Sequence, residues 1–140
     1  MQLTQQQADR LIALVKEAAR TDVFDWLQNT RQDELLIAKD DGQLHFVLSL
    51  RRNPYEIRLH CRTRDRNIGL VRLDASNYHI NPDGTEIRGK PHLHIYREGH
   101  ELSYAKPVDW YDVAKPIETL ERFLKVVHSR FPFGIQQDMF

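Results

Sequence analysis

Two histidines stand two residues apart in the run Pro91 to Glu98, PHLHIYRE, and Tyr96 and Glu98 continue the same spacing. In an extended strand alternate side chains share a face. His92, His94, Tyr96 and Glu98 would then project together, while Leu93 and Ile95 turn to a core. Two imidazoles, a phenol and a carboxylate in one row suit acid–base chemistry, metal binding or recognition of a charged partner. A third histidine, His79, lies just upstream in the run HINPDG.

Three uses of this row compete. In the first, RNA is cleaved without metal. An imidazole, with an ordinary pKa of about 6.5, exchanges protons near neutrality. One of His92 and His94 would take the 2′-hydroxyl proton and a second group would protonate the leaving 5′-oxygen. Arg72 or Arg62 would stabilise the charged phosphorus, with His79, Tyr96 and Glu98 in support. In the second, His92 and His94 hold a divalent ion, with Glu98 or His79 as third ligand. The spacing resembles part of the first cupin motif, but the glycine six residues before the pair and a second His-bearing motif are absent. In the third, the face only docks a partner.

A basic block adjoins these residues in sequence. Residues 51–72 carry seven arginines against two carboxylates, whereas the segments on either side are net acidic. Every cation in that block is Arg, whose planar fork matches phosphate and carboxylate and stacks on bases. Arg58, His60, Arg62, Arg64 and Arg66 are therefore the candidate nucleic-acid-binding residues. The competing use of such a block is a solvated face paired to acidic neighbours.

The elements that must position these side chains follow from periodicity. Thr4 with Gln7 matches a capping box, and apolar residues at helical spacing predict a helix over 4–20. Strands are predicted at 22–28, 34–39, 43–51, 55–63, 68–74, 92–98 and 102–105. Asp41-Gly42 is a hairpin signal, Asn53-Pro54 a turn, and 75–91 a loop. Pro116 opens a second amphipathic helix, 116–130. Strands in series with no helix between them favour an antiparallel meander. The expected fold is α+β: a curved antiparallel sheet with an N-terminal and a C-terminal helix on one face, leaving the other open. The pattern of 68–74 does not say which of its faces is outward; Arg72 beside the histidines is preferred, because Val71 and Leu73 are then buried.

The chain has 140 residues, 41% apolar and 29% charged, with zero formal net charge. Those values suit one folded domain over 1–140 and exclude general disorder. A single cysteine, Cys61, rules out an intrachain disulfide and a thiolate zinc site. It falls on the apolar side of its strand, as an inert core thiol. No apolar run reaches the ~20 residues of a membrane span, and the N-terminus has no signal pattern, so a cytoplasmic location is expected. The strand at 22–28 and the aromatic tail FPFGIQQDMF offer surfaces for a homodimer.

The runs Leu73-Asp74, His79-x-Asn81-Pro82-Asp83-Gly84, His92 to Gly99 and Ala105-x-Pro107 resemble a family of small bacterial and prophage proteins of unknown function. The layout is also distantly similar to TumE-type toxins of toxin–antitoxin pairs, in which a sheet and a His-rich strand precede a helix with a Phe-Leu pair; Phe123-Leu124 fits that place. The resemblance implies action on RNA and a cognate antitoxin. The chain departs from those toxins in its extra N-terminal helix and strand and its longer 75–91 loop. The expected function is thus an RNase-like toxin acting through an Arg/His face, with no cofactor or bound metal. The first alternative is a non-enzymatic binder, such as a prophage-encoded inhibitor of a host defence or nucleic-acid-processing complex. The second is a small metal-binding protein using His92 and His94.

Overall fold

A computed structural model describes residues 2–137. The order is α1 (Gln5–Ala13), β1 (Lys16–Ala18), β2 (Arg31–Ala38), β3 (Asp41–Arg52), β4 (Ile57–Thr63), β5 (Gly69–Asp74), β6 (Tyr78–Ile80), β7 (Glu86–Arg88), β8 (His92–Ile95), β9 (Ala105–Pro107), α2 (Pro116–Val126) and β10 (Ser129–Arg130). Eight strands form one sheet in the order β10-β1-β2-β3-β4-β5-β8-β9, and β6 and β7 pair separately. Every pair in the large sheet is antiparallel except β1 with β10. The fold is thus the α+β antiparallel arrangement expected, and the sheet is not closed.

Alternation sorts the side chains. Leu48, Leu50, Ile57, Leu59, Cys61, Val71, Leu73 and Leu93 are buried in one cluster with Leu3, Ala8, Ile117, Leu120 and Phe123. Both helices therefore cover the same sheet face. Burying each large apolar side chain there contributes about 1.5–3 kcal/mol. Cys61 lies at full burial, which pushes its thiol up to about 11 and leaves it inert.

Several boundaries differ from expectation. The Thr4–Gln7 capping box forms as predicted, but α1 stops at Ala13 and Leu14 is extended. Residues 16–18 are strand because β2 and β10 supply their backbone partners on both sides. Residues 22–28 form no strand. Phe24 and Trp26 are buried all the same, and Phe24 bridges Ile135 and stacks on Phe131. The two segments suggested as dimer surfaces thus engage each other within the chain; Asp138, Met139 and Phe140 lie outside the described residues. The helix expected to reach 130 ends at Val126, and the next two residues to pair form β10. The last expected strand, 102–105, lies later, at Ala105–Pro107.

The loop 75–91 contains the β6–β7 hairpin. Its turn is the Asn81-Pro82-Asp83-Gly84 sequence, with Gly84 at φ 89°, a region open to glycine. Thr85 N donates to Asp83 Oδ1 at 2.9 Å, so Asp83 serves the turn. Among the described residues no helix is long and apolar enough to cross a membrane.

Candidate functional site: a histidine cluster beside an arginine groove

Cross-strand register assembles the open face. One row runs Asp33, Ser49, His60, Arg72 and His94 across β2, β3, β4, β5 and β8. A second places Arg31, Arg51 and Arg58 on adjacent strands, and Asp74 opposite His92. Arg72 therefore shares the histidine face, as the burial of Val71 and Leu73 required. Adjacent strands lie about 4.8 Å apart, so residues distant in sequence become neighbours.

The row of four predicted from 92–98 breaks after His94. Pairing with β5 ends at Ile95, and Tyr96 turns to the core, where its hydroxyl donates to Leu3 O at 2.7 Å and accepts from Leu3 N at 3.0 Å. Glu98 is exposed and accepts from Gln5 N at 2.7 Å, at the start of α1. A carboxylate there complements the positive helix end. The tight turn that follows, with Gly99 and Glu101 at positive φ, ends the alternation. Tyr96 and Glu98 thus hold the N-terminal helix and stand apart from the histidines.

His79 takes the place they leave. The hairpin folds over β8 and brings the His79 ring centroid to 5.4 Å from His92 and 4.8 Å from His94. Ligand atoms of His79, His92 and His94 all lie within 4.8 Å of one another. His92 and His94 have side chains only 1% and 2% exposed. Asp74, which sequence reasoning did not select, completes the group. Its Oδ1 is 2.8 Å from His92 Nε2 and its Oδ2 3.4 Å from His94 Nε2. The alternation of Arg72 with Asp74 was the signal that could have found it. Burial opposes ionisation of Asp74, but the His94 hydrogen bond, the two imidazoles and the Ser76 backbone outweigh it and hold the carboxyl well below the usual carboxylate range.

Each imidazole has one nitrogen committed to an acceptor. His92 Nδ1 lies 3.0 Å from Lys90 O, and His94 Nδ1 2.7 Å from Leu102 O. His79 Nε2 lies 2.9 Å from Ser103 O and 3.0 Å from Asn81 Oδ1. The Asn81 amide is itself oriented by β9, with Nδ2 donating to Ala105 O and Oδ1 accepting from Ala105 N.

A groove of about 420 Å³ opens beside this cluster, lined by Arg31, Arg51, Arg58, His60, Arg72 and Asp74 among others. Arg62 adds a fifth guanidinium on the same face and donates to Ser49 Oγ. The face carries Asp33, Glu56 and Asp74 in return, paired with Arg31, Arg58 and Arg72. His60 is half-buried with Nε2 lacking a hydrogen-bond partner. Burial, then Arg62, Arg72 and Arg31, push its pKa down to about 4, so it is neutral at pH 7. Its ring lies against Gly69, where an added Cβ would come within 2.9 Å of Nε2 and 2.6 Å of Leu102 Cδ1. Arg64 and Arg66 are not in the groove; they sit in the β4–β5 turn, beside His45 and Asp65 respectively. Arg52 faces the core side and donates to Trp26 O.

A family described as "Family of unknown function (DUF6978)" matches residues 3–128. The chain belongs to that family. No curated protein and no solved structure matches it.

Proposed function

We propose that this member of DUF6978 is a cytoplasmic protein that binds single-stranded RNA in the arginine groove. The observation that supports this most is the run of Arg31, Arg51, Arg58 and Arg72 along one groove on four adjacent strands, with Arg62 beside it. Four strands span about 14 Å, the scale of several nucleotides. The guanidinium excess favours a polyanion, and Arg51 makes no ion pair among the described residues. Tyr55, 88% exposed in the turn beside the groove residue Glu56, offers a stacking surface for a base.

Cleavage of the bound strand, the RNase-toxin reading, has one observation in its favour. Arg72 Nη2 lies 3.5 Å from His94 Nε2, and the Asp74–His92 pair is alongside. A carboxylate, an imidazole and a guanidinium together can move a proton and stabilise phosphorus. The deep burial of both imidazoles favours binding over cleavage.

Titrating labelled single-stranded RNA and following anisotropy tests the proposal. Binding should weaken as salt rises. Arg51→Glu with Arg58→Glu should reduce affinity at least about tenfold, because two like charges then face the phosphates. An unchanged affinity in that variant, or no binding at low salt, would reject the groove. New RNA fragments in the wild-type sample, absent for His94→Ala, would establish the cleaving form. Such a form should also arrest bacterial growth until a cognate antitoxin is supplied.

A further inference from the structure

We infer that His79, His92, His94 and Asp74 form a site for one divalent cation of the zinc class. Arg72 adjoins both sites, pairing with Asp74 and lying 3.5 Å from His94 Nε2, whereas Arg51 and Arg58 belong to the groove alone and separate the two readings.

Tautomers carry the first part of the case. A main-chain carbonyl only accepts, so the nitrogens facing Lys90 O and Leu102 O carry hydrogens. In the neutral ring, the form that binds a metal, that leaves Nε2 of both His92 and His94 with a lone pair. Both partners of His79 Nε2 are acceptors as well, since the Asn81 amide is fixed by its two bonds to Ala105. His79 therefore keeps its lone pair on Nδ1. Three imidazoles each tied at one nitrogen by an outer acceptor is the arrangement that orients histidine ligands around a metal.

Electrostatics carries the second. An Nε2 lone pair 2.8 Å from a carboxylate oxygen is repulsive unless a positive charge lies between them. A cation held by all four residues supplies that charge, and their ligand atoms are gathered for it: the three histidines lie within 4.8 Å of one another and Asp74 within 3.4 Å of two of them. Without a metal, His94 Nε2 has only Arg72 Nη2 at 3.5 Å as a donor among the described residues; a cation uses all three lone pairs together with the carboxylate. Three nitrogens and one oxygen are the donor set of a borderline ion such as zinc.

Geometry says what must move. Nitrogens around a tetrahedral zinc ion sit about 3.3 Å apart, less than the 4.8 Å spread observed. His92 and His94 are fixed on β8, which is paired on both sides in the large sheet, whereas His79 rides on a separate two-stranded hairpin. The hairpin is thus the element that would close. Metal bound to imidazole cannot leave that nitrogen free to take a proton, so a filled site also removes His92 and His94 from acid–base cleavage.

The test uses the full chain, produced without a histidine tag and stripped with a chelator. Titration calorimetry with zinc chloride should give one ion per chain, and cobalt(II) should develop the intense visible bands of a tetrahedral site. His79→Ala, on the half-buried hairpin, and Asp74→Asn should each weaken zinc at least about tenfold. Asn81→Ala, which touches no metal, should weaken it by roughly 10–100-fold through His79. Zinc should also slow amide exchange across 78–88 in the wild type and not in His79→Ala. Arg51→Glu with Arg58→Glu should bind zinc as the wild type does. Absence of stoichiometric zinc or cobalt binding overturns the site. So does undiminished affinity in both His79→Ala and Asp74→Asn, with circular dichroism showing those chains folded.

Discussion

His60 shows how a single side chain can be governed by its neighbours. It faces Arg62 on its own strand, Arg72 on β5 and Arg31 on β2, and its Nε2 has no acceptor. Its folded pKa of about 4 lies below the ordinary 6.5. Between those values the unfolded chain binds the proton and the folded chain does not, so stability is lost as pH falls from 6.5 to 4. The unfolding free energy measured across that window should fall by about 2 kcal/mol more for the wild type than for His60→Gln, the full shift being reduced by solvent screening of the partly exposed ring. Equal slopes would show that the imidazole is not held neutral by the groove. The sequence placed His60 among outward residues with Arg58 and Arg62. It could not show Arg31 beside it, since that contact reaches across β3 from β2.

At the scale of elements, strand β8 and the turn after it divide the labour that the sequence assigned to one row. Alternation held for His92 and His94 and failed at Tyr96, whose N–H still donates to Leu70 O of β5 while its side chain turns to Leu3 before α1. Tyr96→Phe removes both bonds to Leu3 from a buried place, so it should cost about 1–3 kcal/mol and leave zinc and RNA binding unchanged. Thermal unfolding together with the zinc titration checks both halves; lost zinc affinity would return Tyr96 to the site. The hairpin β6–β7 is the opposite case. Two three-residue strands are too short to register as period-two patterns, and the turn residues around them read as loop. Yet that hairpin delivers His79, and its Asn81 fixes the ring.

The whole molecule is closed by a charge in an unexpected place. Lys16 is fully buried, and its Nζ donates to Ile12 O, Leu14 O and Val127 O at 3.0, 2.9 and 2.9 Å. Those carbonyls belong to the C-terminal ends of both helices, where a cation suits the helix dipoles. Burial lowers its pKa to about 8, which still leaves it protonated at pH 7. The ammonium lies 4.8 Å from the Phe46 ring centroid and joins α1, α2 and the sheet at one point. Lys16→Met relieves the desolvation but leaves three carbonyls without a donor. The second effect is larger, and the expected loss is about 2–3 kcal/mol by chemical denaturation at pH 7. A variant as stable as the wild type would mean that packing alone holds the helix ends.

Local pattern determined the faces of β3 and β4, the capped start of α1 and the buried cysteine, because each depends on neighbours within a few residues. The antiparallel series expected from them put the arginine strand, the Arg72 strand and the His-x-His strand side by side, as the structure does. Only the tertiary structure decided which groups meet on that face. Asp74 joined the histidines through the β5–β8 register, His79 through a hairpin folded back over the sheet, and Tyr96 and Glu98 left it to hold the first helix. Long-range pairing and the choice of buried polar partners are settled by satisfying every backbone group at once, which no short window of sequence contains.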